Sequence, residues 1–95
     1  MSYKPLDDIL ESSVEGDAMK FAILRGWWEA KFVSPNQRGV PDRLLIRAGR
    51  VIFIEFKKFG KEPTRQQLKR HREMREHGAE VFVVDTLQEA KEILK

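Results

Sequence analysis

The stretch Gly39-Val40-Pro41-Asp42-Arg43-Leu44-Leu45-Ile46-Arg47-Ala48-Gly49-Arg50-Val51-Ile52-Phe53-Ile54-Glu55-Phe56-Lys57 decides how the rest of the chain is read. It predicts two strands, Arg43 to Arg47 and Val51 to Lys57, around a turn at Ala48-Gly49. If the turn has two residues, Arg47 faces Arg50, and counting outward places Asp42 directly opposite Glu55 on the same face of the ladder. Strand alternation puts Lys57 on that face too. A four-residue turn keeps the face but moves Glu55 opposite Leu44. A three-residue loop puts the two acids on opposite faces unless a bulge restores them. Opposed carboxylates on neighbouring strands repel unless a cation lies between them. The pair therefore reads as a metal site.

On the N-terminal side, Met1 to Asp8 reads as an irregular lead-in, with Pro5 discouraging helix before it. From Ile9 to Leu24 the apolar residues Leu10, Val14, Ala18, Phe21 and Ala22 follow helical spacing. Gly16 weakens that helix by about 1 kcal/mol relative to alanine, and Gly26 is a C-terminal stop. Glu15 lies at the border of the apolar face, where most acids are plain surface residues. Trp27 to Val33 predicts a strand, with Trp28, Ala30 and Phe32 on one face and Trp27, Glu29, Lys31 and Val33 on the other. Two adjacent tryptophans cannot both enter a one-sided core, so one covers a helix on the opposite face or lies at an interface. The loop Ser34 to Gly39 leads straight to Pro41 and Asp42, and a proline suits a strand entrance because it has no N–H to give.

On the C-terminal side, Lys58 to Pro63 is a loop and Thr64 opens a helix. Thr64 followed by Gln67 is a capping-box pattern, a structural role that competes with any site role for Gln67. Leu68, His71, Met74 and Arg75 mark one side of this helix, and Gly78 ends it. For His71 packing or a phosphate-facing position is the ordinary reading, ahead of catalysis. Glu80 to Asp85 is a short strand. Thr86 with Glu89 opens a last helix to Lys95, with Ala90, Ile93 and Leu94 inward. The predicted order is helix, three strands, helix, strand, helix. The unit from Val51 to Val84 should cross over right-handedly and leave its two strands parallel. The fold class is α/β, a mixed sheet with helices on both faces, which would shelter both tryptophans.

Composition limits the function. Ninety-five residues suit one domain spanning 1–95 with a modest core, and 41% apolar against 35% charged residues suit a soluble globular chain. The net charge of +3 is mild, but its distribution is uneven. Asp7 to Asp17 holds acids and no base, whereas Lys57 to Arg75 holds eight lysines and arginines against Glu62 and Glu73. Such asymmetry suggests a polyanion met on one side, the ordinary alternative being a solvated helix face. The absence of cysteine excludes disulfides and thiolate metal sites. No apolar run suggests a membrane span and no export signal is visible, so the expected location is cytoplasmic.

The segments KFVSPNQRGVPDRLLI, VIFIEFKK and PTRQQLKRHREMREHGAEVFVV resemble the VRR-NUC domain of the PD-(D/E)XK nuclease superfamily, whose fold is restriction-endonuclease-like. The resemblance runs from about Glu15 to Asp85. It implies a catalytic triad of Asp42, Glu55 and Lys57, with Glu15 as the helix-borne acid and Gln67 as the motif glutamine. Carboxylates with a backbone carbonyl and waters suit hard Mg²⁺ or Mn²⁺. Asp42, Glu55 and the Phe56 carbonyl would hold one ion, with Glu15 closing the site or serving a second. Lys57 would orient or deprotonate the attacking water, a role compatible with simply pairing Glu55. Lys31, Ser34 and Arg38 are expected near the incoming phosphate, and Lys58, Lys61, Arg65, Lys69 and Arg72 along the DNA backbone. Small stand-alone members of the family are expected to act as homodimers on four-way junctions. Tyr3, Trp27, Trp28 and Phe59 add aromatic surface in keeping with an interface. Two other readings exist: a non-catalytic module resembling a double-stranded RNA-binding domain, and a regulatory protein whose basic stripe meets an acidic partner. The first leaves Asp42 and Glu55 unexplained, and acids facing phosphate would hurt its binding.

Overall fold

The computed structural model describes residues 6–95, with side chains from residue 14 onward. The elements are α1 (Leu6–Leu24), β1 (Trp28–Lys31), β2 (Arg43–Arg47), β3 (Arg50–Phe56), α2 (Arg65–Glu76), β4 (Glu80–Val84) and α3 (Leu87–Leu94). The strands form one sheet in the order β1-β2-β3-β4. Strands β1 to β3 pair antiparallel, and β4 lies parallel to β3, so the sheet is mixed as expected. Among the described residues no helix is long and apolar enough to cross a membrane.

The central hairpin closes through Ala48 at φ +50° and Gly49 at φ +83°. Positive φ at both central residues is the two-residue turn whose twist matches the flanking strands. Arg47 therefore pairs with Arg50 and Arg43 with Ile54. This register settles the choice among turn lengths in favour of two residues.

Side-chain alternation then divides the sheet. Leu45, Ile52, Ile54, Phe56 and Val84 project to one face, where they are buried against Ala18, Met19 and Ala22 of α1 and Ala90 and Leu94 of α3. Helix α2 covers the β3–β4 half of the other face, bringing His71 to complete burial. Helices thus flank both faces.

Several boundaries differ from expectation. Residues 1–5 of the expected lead-in lie outside the described region, and Leu6 to Asp8 are already helical. Trp27 is excluded from β1 because its N–H bonds the Ala22 carbonyl at 3.0 Å across Gly26, φ +87°. That bond closes helix α1 in a Schellman cap, so the strand starts one residue later. The same geometry ends α2: the Ala79 N–H reaches the Met74 carbonyl at 3.0 Å past Gly78.

The tryptophans part company. Trp27 is buried, its Nε1–H donating to the Leu94 carbonyl at 2.9 Å, with the Arg47 guanidinium stacked 4.4 Å from its ring. Trp28, on the far edge of the α2 face, is 59% exposed, so the sheet does not shelter both. Leu68 also points outward, since α2 turns Gln67 and His71 toward the sheet instead.

Candidate active site

The site forms at the end of the sheet where β3 and β4 finish and β2 begins. Asp42 precedes the first ladder pair of β2, and its carbonyl accepts the Phe32 N–H at 2.8 Å. Its Oδ2 accepts the Phe56 N–H at 2.9 Å, so its carboxylate lies beside Glu55 across the hairpin. Glu55 is 3% exposed. Its Oε2 accepts from Gln67 Nε2 at 3.2 Å and lies 4.0 Å from Lys57 Nζ, while its buried Oε1 has no hydrogen-bond partner among the described residues. Burial, and next the charge of Asp42, push the Glu55 carboxyl up to about 8 against the pull of Lys57. Two carboxylates thus lie side by side, with Lys57 as the neighbouring positive charge.

Gln67 serves both of its competing readings. Its Oε1 accepts the Thr64 N–H at 2.9 Å and its N–H donates to Thr64 Oγ1 at 3.1 Å, a complete capping box. The other end of the same amide holds Glu55. Gly39 brings the preceding loop onto this helix turn: at φ +85°, a Cβ there would meet the Gln66 carbonyl oxygen at 2.6 Å. Only glycine allows that approach. Arg70 Nε adds a bond to the Arg38 carbonyl at 2.9 Å. His71, one turn beyond Gln67, is fully buried under the site. Its imidazole is driven toward the neutral form by burial, then by the charges of Arg75 and Lys57. Its ring is packed in the interior.

Glu15 reaches the site, where its charge also bears on Glu55. It lines a cleft of about 250 Å³ with Lys31, Phe32, Val33 and Asp42, but its Oε2 is taken by Arg43 Nε at 2.8 Å. Arg43 also reaches Glu29 with Nη1 at 2.7 Å. Among the described residues no three acidic or histidine side chains converge tightly enough to hold an ion by themselves. The arginine was missed in the sequence although a signal existed: alternation turns the residue after Asp42 toward α1, on the sheet face that Glu29 of β1 shares two residues along from its own partner Lys31. Of the expected phosphate contacts, Lys31 and Arg38 are exposed and Ser34 half-buried. Lys61, Arg65, Lys69 and Arg72 are exposed and Lys58 half-buried.

No family model matches the chain. It is similar to "Putative nuclease p44" of Acyrthosiphon pisum secondary endosymbiont phage 1, with 40% identity over 79 residues, covering 82% of this chain and 85% of that protein. A solved structure titled "VRR_NUC domain" aligns with it at a TM-score of 0.82 and 29% identity, over 88% of this chain and 92% of its own. The chain belongs to the VRR-NUC nuclease family.

Proposed function

We propose that the protein is a divalent-metal-dependent DNA endonuclease selective for branched DNA. The pair formed by half-buried Asp42 and buried Glu55 carries this reading. Glu55 is raised to about 8 beside a second carboxylate, and its Oε1 is buried with no partner among the described residues. A hard cation satisfies both features, and oxygen donors with no thiolate suit Mg²⁺ or Mn²⁺ over zinc. Asp42, Glu55 and the Phe56 carbonyl would hold it, while Glu15, kept at the cleft wall by Arg43, adds negative charge. Such an ion supplies charge neutralisation and a more acidic water.

The protein's own groups do the rest. Lys57 orients the attacking water or, in its neutral form, takes its proton, and in its charged form offsets charge growing on the phosphate. Gln67 fixes the Glu55 carboxylate from the capped start of α2. Lys31, Ser34 and Arg38 receive the phosphate at the cleft side, and Lys58, Lys61, Arg65, Lys69 and Arg72 follow the flanking backbone.

A cleavage assay on linear duplex, flap and four-way-junction DNA tests the reading. Cutting should require Mg²⁺ or Mn²⁺, stop with EDTA and be fastest on the branched substrates. Cleavage in EDTA, or none on any substrate, removes it.

Symmetric cutting of two strands calls for two copies on a two-fold axis, and we propose a homodimer. Trp27 is buried in the core and Tyr3 lies outside the described residues, which leaves the uncovered side of β1, β2 and the start of β3. There Trp28 is 59% and Val51 42% exposed, with Ala30, Leu44 and Ile46 half-buried between them. Sedimentation equilibrium at micromolar concentration should give a dimer that Trp28→Glu converts to monomer. A monomeric wild-type chain, with and without junction DNA, refutes the assembly.

A further inference from the structure

Phe59 is 76% exposed and lies two residues after Lys57. It takes the second position of a turn closed by the Lys61 N–H on the Lys58 carbonyl at 2.9 Å, with Gly60 third at φ +79°. That is type II turn geometry, which sets the second residue at the tip. The turn is fastened to the sheet: the Gly60 N–H donates to Asp85 Oδ2 at 2.9 Å, and the Lys57 N–H to the Val84 carbonyl at 2.8 Å. The ring is thus displayed by a fixed backbone at the sheet end that carries Asp42 and Glu55.

Its surroundings separate it from Trp28. Trp28 stands with Ala30, Leu44, Ile46 and Val51 on the apolar part of the α2 face that the helix leaves uncovered, which suits a second copy of the chain. Phe59 follows Lys57 and Lys58 and precedes Lys61 in the chain, and a two-fold contact at this turn would press the same lysines of both copies together. Cations beside an aromatic face match an unpaired nucleotide instead, with the backbone neutralised and the base stacked.

We propose that Phe59 stacks on an unpaired base next to the phosphate at the Asp42–Glu55 site, and so favours DNA with unpaired nucleotides beside the cut. The inference rests on the nuclease reading above. In a continuous duplex each base face is already stacked, so the ring gains no partner there.

The test uses a duplex carrying 2-aminopurine in an unpaired flap and a fully paired control, titrated in EDTA with the whole chain. Cleavage of the same probes is then followed in Mn²⁺. Wild-type protein should quench the flap probe. Phe59→Ala should lose about tenfold more affinity for the flap than for the paired control, the order expected for base–aromatic stacking. Phe59→Trp should restore it. Phe59→Ala quenching like wild type, or losing affinity equally on both probes, overturns the proposal. Quenching without cleavage keeps the stacking and removes the nuclease reading. Cleavage without quenching that depends on Phe59 does the reverse.

Discussion

Lys57→Ala should lose cleavage by a factor on the order of 10²–10⁴, the usual worth of a positioned proton-transfer group, while keeping most of its DNA affinity. Lys57 is 17% exposed, with its Nζ 4.0 Å from Glu55 Oε2, so on the proposed reading it would meet the reacting phosphate and little of the flanking backbone. One positive charge among many contributes a small share of the polyelectrolyte attraction. Lys69→Glu and Arg72→Glu should behave oppositely. Both residues are exposed on α2, and reversing them should weaken binding in a salt-dependent way with the bound-state cleavage rate kept. Single-turnover cleavage at saturating protein, beside binding titrations at several salt concentrations, separates the effects. A Lys57→Ala protein that cuts at the wild-type rate shows that the lysine does not take part in the chemistry.

Removing one negative charge should make the metal-free protein more stable. Glu55 titrates at about 8 in the folded chain against 4.5 as its ordinary value. Between those values the folded state holds a proton that the unfolded state has released, so stability falls as pH rises through this window and levels off above it. The full loss is on the order of 3–5 kcal/mol. Glu55→Gln keeps an acceptor for Gln67 and cannot ionise. In EDTA at pH 8.5 it should melt at least ~10 °C above wild type, taking roughly 4–8 °C per kcal/mol for a domain of this size. At pH 5 the two should melt together. Mg²⁺ or Mn²⁺ should raise the wild-type melting temperature at pH 8.5 and leave Glu55→Gln less affected. Parallel melting curves for the two proteins from pH 5 to 8.5 rule out this account of the buried pair.

The sequence by itself determined the hairpin and, through it, the centre of the site. Ala48-Gly49 accepts two positive φ angles at little cost, so a two-residue turn was available, and that register alone sets Asp42 against Glu55 and Lys57 on the same face. Helix order, the capping box at Thr64 and the parallel return of β4 were equally legible, because periodicity and cap chemistry act over a few residues. Tertiary structure decided whatever depended on two distant segments meeting. The crossover delivers α2 so that one amide both caps its helix and holds Glu55. Arg43, turned to the α1 side by its place in β2, takes Glu15 and Glu29, and no local pattern weighs an arginine against a metal for the same carboxylate. The adjacent tryptophans share nearly the same local sequence, yet the Schellman cap of α1 sends Trp27 under α3, while the reach of α2 leaves Trp28 bare. Burial of this kind is a property of which helix arrives on which face, and that is fixed only when the whole sheet is assembled.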